Sequence, residues 1–492
     1  MEKSKKFSLH KLLMHLDVET LAMATMLLMA LQPLYGVFDI VREQSDLIAL
    51  FYGKATLIRF VGMFGLFVGF VNLYQCSVKY GAAYFQKKFL HDPWNLIFAL
   101  ALVWAVMTSL TAVNKEIAFF SYAYRYEGLL SYFAYAGVYI CGSMIRDEGK
   151  RRRLIDFFLI IAAVLAVVTW ISQQPGNTES LLVRSGWVGA YSGTFINTNH
   201  YGYFLCVVLM LSAGRMVYAR GSFKVFFIAS FILNTLILLK NNSFGPFLAV
   251  SVGLVGFFVV TTIRDGIEKS WWLVIPFAAF FILDAWLNDG AMIKMYEIIW
   301  TEFRKVLGYV TSSEAELAEE AERGTEAVLK DIGDAGSGRM RIWMAAFDVW
   351  KQHPVIGCGP ENLPMEMQPA LGGYEACHNE YLQVLAEMGI IGFITYWGGH
   401  LTNFVYQLKR MGTTSNASLV AYGAAAAYLV SAAFGITITV SEVFFFFVLG
   451  IANGSHNADI MNSLEGPALN AGEMLRPNPA LSYSSANALP RR

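Results

Sequence analysis

The stretch 338–392 reads Gly338-Arg339-Met340-Arg341-Ile342-Trp343, then His353-Pro354-Val355-Ile356-Gly357-Cys358-Gly359-Pro360-Glu361-Asn362, then Cys377-His378-Asn379-Glu380-Tyr381-Leu382-Gln383, and ends in Met388-Gly389-Ile390-Ile391-Gly392. It leaves a long hydrophilic segment and finishes inside an apolar run. Its polar residues are of kinds that bind anions or move protons. Arginines and a histidine set at the edge of an apolar helix place chemistry at a membrane boundary.

Outward from that stretch, 56% of the 492 residues are hydrophobic and only 15% are charged. With a mean hydropathy of +0.46, the composition is that of an integral membrane protein and excludes a soluble one. A helix needs about 20 apolar residues to span a bilayer. Runs near 18–38, 55–75, 94–113, 127–145, 154–173, 201–219, 223–240, 244–263, 271–288, 383–406, 417–438 and 440–455 qualify, the last being short. The expected fold is an all-α integral membrane protein of about 12 transmembrane helices, with a large, partly helical loop between the ninth and tenth. The first run follows a basic head (Lys3, Lys5, Lys6) but is long enough to span and has no small-residue cleavage site behind it, so it reads as a helix rather than a signal peptide.

Basic residues set the orientation. With the N-terminus in the cytoplasm, the inside loops hold Lys79, Lys87 and Lys88, the Arg146–Arg153 cluster, Arg215, Arg220 and Lys224, Arg264 and Lys269, and Lys409 and Arg410. Both termini are then cytoplasmic. Residues 1–17 form the N-terminus, 18–288 helices one to nine, 289–382 an extracytoplasmic loop with the candidate catalytic segment, 383–455 helices ten to twelve, and 456–492 a Pro-, Asn- and Ser-rich disordered tail. Lys plus Arg and Asp plus Glu both number 37, and this balance gives no expectation of nucleic acid.

Within the large loop, Met292 to Leu307 carries apolar residues at helical spacing, as a helix on the interface would. Residues 313–334 are acidic and read as a solvated helix. Trp343, Ala346, Phe347 and Trp350 share one helical face. Of five cysteines, Cys76, Cys141 and Cys206 lie in or beside apolar helices, while Cys358 and Cys377 share the loop. A bond between those two would contribute roughly 3 kcal/mol. None has metal-ligand spacing, and no metal or other cofactor is expected.

Four outside-facing segments carry cations: Arg125, Arg184, Lys240, and Arg339 with Arg341. Arg125 stands in Tyr124-Arg125-Tyr126-Glu127-Gly128 and reads either as a juxtamembrane pair with Glu127 or as part of the site. Arg184 precedes Gly193-Thr194-Phe195-Ile196-Asn197-Thr198-Asn199-His200, where an asparagine opens a helix whose N-terminus attracts anions. Guanidinium forks match phosphate oxygens, and the imidazole of His378, followed by Asn379, is a proton acceptor near neutrality. Together they suit transfer of a sugar from a lipid pyrophosphate to an acceptor hydroxyl, with arginines stabilising the leaving diphosphate. His200, His353 and His400 read as structural, and Arg59 as a residue snorkelling to the interface. Glu380 is a weaker acid/base candidate, lying roughly 200° around a helix from His378, and Glu387 is another.

Three segments resemble the O-antigen ligase and polymerase superfamily: Arg184…Gly193-x-Phe195-x-Asn197-x-Asn199; Gly338-Arg339-x-x-x-Trp343…Pro354-x-x-Gly357-x-Gly359; and His378-Asn379-x-Tyr381-Leu382-Gln383…Glu387-x-Gly389-Ile390-Ile391-Gly392. Arg125-Tyr126-Glu127-Gly128 is similar to a segment of its members, and the likeness runs over roughly residues 120–450. The resemblance implies a GT-C-like, metal-independent glycosyltransferase of the bacterial cytoplasmic (inner) membrane, multi-pass, with its active site on the extracytoplasmic face. It implies an undecaprenyl-pyrophosphate-linked glycan donor, a glycan, lipid or protein acceptor, and membrane lipid as surroundings. It implies His378 and Arg339 as catalytic, and Arg184, Arg341, Arg125, Lys240, Asn379 and Asn199 as substrate-binding. Where many members have Ser-Arg-Gly, this chain has Ser243-Phe244-Gly245, so either Lys240 is the substitute cation or the donor is held differently.

The rival reading is a polytopic transporter or flippase for a lipid-linked or anionic substrate. That class places ionisable groups near the bilayer midplane on broken helices, with internal repeats. The sequence shows no repeat and gathers its polar groups at one face. A peptidoglycan-type polymerase, the third reading, would use an acidic base.

Overall fold

The computed structural model describes residues 9–37, 47–90, 92–121, 125–174, 191–195, 197–294, 296–297, 339–372, 376–436 and 438–474. Arg184 and the acidic run 313–334 lie outside the described residues. Among the described ones there is no strand. The helices are α1 (Leu9–His15), α2 (Val18–Leu31), α3 (Leu47–Tyr80), α4 (Pro93–Thr111), α5 (Lys115–Phe120), α6 (Leu129–Met144), α7 (Glu148–Ser172), α8 (Thr198–Tyr218), α9 (Ser222–Asn241), α10 (Phe244–Asp265) and α11 (Val274–Leu287). After the large loop come α12 (Arg339–Gln352), α13 (Leu363–Leu371), α14 (Glu380–Lys409), α15 (Asn416–Ala432) and α16 (Thr439–Met474).

Each apolar run of the sequence falls on one of these helices. By length and composition, however, seven helices among the described residues are able to cross a membrane, or eight if the bent pair Leu9–His15 and Val18–Leu34 forms one span. The apolar α6 and α15 are shorter, α14 is interrupted at Gly389, and α16 turns polar in its second half. The structure describes a multi-pass membrane protein whose exposed surface supports that reading: Phe60, Phe64, Phe67 and Phe70 stand outward along α3, and Val252, Val255, Val259 and Ile263 along α10. Such stripes at helical spacing need an apolar surrounding.

The helices pack through small residues. A Cβ on Gly137 of α6 would stand 1.9 Å from the Gly62 carbonyl oxygen of α3, and one on Gly142 would stand 2.8 Å from Gly450 of α16. Lipid supplies no hydrophobic drive between helices, so close backbone approach of this kind holds such bundles. α6 thus lies between α3 and α16. α8 lies at the centre, buried along nearly its whole length from His200 to Val217.

Four details depart from the sequence reading. Arg59 does not snorkel: its guanidinium donates to Ser131 Oγ, Ser121 Oγ and the carbonyls of Phe120 and Tyr126, because the loop before α6 offers acceptors that lipid does not. The final helix does not stop near 455 but runs on to Met474. The buried face of α12 is Ile342, Ala345, Ala346 and Val349, with Trp343 and Trp350 packed beside it and Phe347 turned outward. Met292, expected on an interfacial helix, is buried in the main core, where the Asp284 carboxylate accepts from the Met292 and Ile293 amides.

Candidate functional site

Helices α12 and α13, the loop between them and the first turns of α14 form a cap with its own small core: Ile342, Ala346, Val349, Leu363, Met367 and Ala386, together with the two loop cysteines. Cys358 and Cys377 are buried free thiols, and burial raises the Cys377 thiol to about 12.

The cap is joined to the bundle at a break in α14. Gly389 has φ +65° and ψ −175°, which interrupts the helical ladder. The carbonyls that the break frees are taken by neighbours: Ala386 by the Cys358 amide at 3.0 Å, Glu387 by the Gly359 amide at 2.9 Å, and Met388 by the Trp104 indole at 2.8 Å. The Ile390 amide donates to Pro354 O. Irregular backbone beside a membrane persists only when its polar groups are satisfied this way. A Cβ at Gly357 would stand 2.3 Å from Glu387 backbone, and one at Gly389 2.2 Å from Val355 O. These motif glycines let the two chains touch.

Arg125 is the hub beneath the cap. Its guanidinium donates to Glu361 (3.1 Å), Gln383 (3.2 Å) and Glu387 (3.3 Å), and it is buried. Burial alone would lower its pKa, but Glu361 and Glu387 outweigh that and raise it. Its carbonyl accepts from the Thr439 amide of α16. Glu127 does not pair with Arg125; its Oε1 accepts from Tyr135 at 2.6 Å. Glu380 accepts from Tyr428 and Glu442 from Tyr396. Five buried carboxyl groups therefore gather at this end of α6, α14 and α16, engaged by Arg125 and tyrosine hydroxyls.

His378 stands at the top of this arrangement with φ +51°. Tyr126 (+57°) and Glu361 (+62°) are also left-handed, and such strain concentrates where a site over-determines its backbone. The His378 Nδ1 is buried with no hydrogen-bond partner. Burial, then the positive charges of Arg339 and Arg125, hold the imidazole down at about 4. The spacing Arg339-x-x-x-Trp343 explains how Arg339 comes near. Residues four apart share a helix face, and the Trp343 indole donates to Cys377 O at 3.0 Å, next to His378, while Arg339 opens the helix one turn before.

The other expected site residues divide. Asn379 caps α14, its side chain accepting from the Leu382 amide. Asn199 Oδ1 accepts from Ser243 Oγ at 3.4 Å, joining the start of α8 to the turn before α10. Lys240 is half-buried in the last turn of α9, and Arg341 is exposed. Of the alternative acids, Glu380 and Glu387 are both buried and engaged. Sequence reading missed Lys54, which is buried in α3 and donates to Thr194 O and Oγ1. It fastens the Gly193–Phe195 turn; a lysine amid an apolar run was the available signal. Among the described residues, no group of three or more His, Cys, Asp or Glu is placed to hold a metal ion.

Residues 205–397 match the family model described as O-antigen ligase. Over that segment the chain is similar to the O-antigen ligase family. No curated protein matches it. The match supports, at family level, a membrane glycosyltransferase of the ligase or polymerase type that uses a lipid-linked glycan. The region shared with O-antigen ligase begins inside α8 and ends within α14, so it includes Lys240, Arg339, the broken helix and His378. Arg125 and Arg184 precede it.

Proposed function

We propose that the chain moves a glycan from an undecaprenyl-pyrophosphate-linked donor to an acceptor hydroxyl at the extracytoplasmic surface of the bacterial inner membrane, within a GT-C-like bundle of about 12 spans. The observation that carries this reading is the junction of α12 with α14, where Trp343 bonds the carbonyl before His378 and brings Arg339 to an imidazole held neutral at pH 7.

The reaction then runs as follows. The bond from the donor sugar's anomeric carbon to the diphosphate breaks, and the diphosphate leaves with the electron pair. The acceptor oxygen bonds to that carbon, and its proton passes to His378. Arg339, at the helix N-terminus, stabilises charge growing on the leaving oxygen, with Arg341, Lys240 and Arg184 as further diphosphate ligands. No metal is needed for this balance. Arg125 is fully engaged with Glu361, Gln383 and Glu387, and acts by holding the segments that carry His378. The donor's negative charge offsets the arginine field, so the base strengthens when substrate is bound.

The break at Gly389 is of the kind a transporter uses. Here its freed carbonyls are taken by the loop 357–359 and Trp104 rather than facing a channel, which favours the transferase. Purified protein in nanodiscs, given a polyprenyl-pyrophosphate glycan and an acceptor, releases the lipid diphosphate. His378→Ala and Arg339→Ala each abolish release; persistence in both variants sinks the assignment. Glycan lengths in a deletion strain separate polymerase from ligase: lost long chains indicate polymerisation, unattached full-length chains ligation.

A further inference from the structure

A recess runs from beneath the Arg125 hub toward the end of the bundle opposite the cap. α3 and α4 both rest on α6, and between them is a cavity of about 310 Å³. Its walls are apolar: Leu66 and Phe70 of α3, Phe98 and Leu102 of α4, Ile140 of α6 and Phe446 of α16. It opens sideways between α3 and α4, where Phe70 and Ala99 are exposed.

At one end the lining changes to Lys88, Asn95, Ser143 and Asn457. Lys88 stands on a π-helical turn, Gln86–Leu90, a rare winding that is frequent at functional sites. Its Nζ donates to Asn457 Oδ1 at 3.0 Å, and Lys87 Nζ donates to Ser463 Oγ at 2.6 Å. Nearby Lys79 and Arg146 share the Glu465 carboxylate. Lys87 and Lys88 have no ion-pair partner among the described residues. Lys88 lines the slot and Lys87 is its neighbour in the same turn; both donate to neutral acceptors, with the Asp92 carboxylate further off beside Lys88. This pair beside a laterally open apolar slot fits an anion that carries an aliphatic chain.

We propose that this is a binding site for an anionic glycerophospholipid of the leaflet opposite the transfer site. Its phosphate sits against Lys87 and Lys88, and one acyl chain enters between α3 and α4. The volume is at the low end of ligand pockets, about 300–1,000 Å³, and suits a length of one chain rather than a whole polyprenyl tail. The slot also touches Tyr132, Tyr135 and Tyr396. Tyr135 and Tyr396 hold Glu127 and Glu442, so a seated chain braces the hub under His378.

Native mass spectrometry of the full-length protein, titrated with phosphatidylglycerol or phosphatidylcholine, tests this. The wild type retains phosphatidylglycerol in preference to phosphatidylcholine. The Lys87→Ala/Lys88→Ala variant loses roughly tenfold of the phosphatidylglycerol affinity, and Leu102→Trp, which fills the opening, lowers retention of both lipids. Equal retention of the two lipids by the wild type overturns the proposal without any variant having to fold. So does unchanged binding in both variants, and so does displacement of phosphatidylglycerol by polyprenyl diphosphate, which would assign the slot to the donor lipid.

Discussion

At the scale of single residues, the field around His378 makes a measurable demand. Burial and the charges of Arg339 and Arg125 hold its imidazole at about 4, below the ordinary value near 6.5. A base works deprotonated, so kcat/KM stays level as pH falls through the usual histidine range and drops only near pH 4. Arg339→Gln removes a positive neighbour, which lets the proton bind more tightly. The acid limb therefore moves up toward 6.5, while the rate drops about 10²–10³-fold through lost charge stabilisation. Arg339→Lys keeps the charge and leaves the limb in place. A limb that stays put in Arg339→Gln separates this arginine from the base. Arg125 makes a different demand: Arg125→Ala strands Glu361 and Glu387 in a buried setting, at a cost of about 3–5 kcal/mol, read as a lowered unfolding temperature. Residue types alone made both arginines legible as anion binders. They did not reveal that the anions Arg125 meets are carboxylates more than 230 positions along the chain.

At the scale of elements, the broken α14 bears His378's flank of the proposed site. Hydropathy reads 383–406 as one uninterrupted span, because the apolar pattern continues across Gly389 and a break leaves no trace in periodicity. The glycines were visible as a motif, but their purpose was not, since it depends on a loop some thirty residues earlier resting on the break. Gly389→Ala places a Cβ in a left-handed residue 2.2 Å from Val355 O. It costs about 2 kcal/mol or more from backbone strain and the clash, and it shifts His378 enough to reduce transfer sharply. Gly398, on the same helix, has nothing within 4 Å of a Cβ. Gly398→Ala is neutral or slightly stabilising through helix propensity. Equal effects of the two substitutions on transfer and on thermal unfolding would remove the break from the account. Trp343→Phe keeps the ring but loses the bond to Cys377 O. It costs about 1 kcal/mol of stability and a larger share of turnover, because Arg339 is no longer held to the histidine.

At the scale of the whole molecule, the apolar runs were legible because hydrocarbon imposes a length and excludes charge. The order in which helices pack was not, being set by small-residue contacts such as Gly62 with Gly137. Orientation is the remaining whole-molecule property, and the distribution of basic residues gives it a definite sign. The orientation proposed above puts the cap on the extracytoplasmic side and the start of α7, with Arg151, Arg152 and Arg153, on the cytoplasmic side. Cysteine labelling reads this directly, since all five native thiols are buried and give little background. Asp348 on the cap has a side chain 64% exposed, and Arg152 is exposed at the opposite end. In sealed spheroplasts a membrane-impermeant maleimide labels Asp348→Cys at once, and Arg152→Cys only after permeabilisation. The reverse order would put His378 in the cytoplasm, where a donor presented outside the membrane cannot reach it.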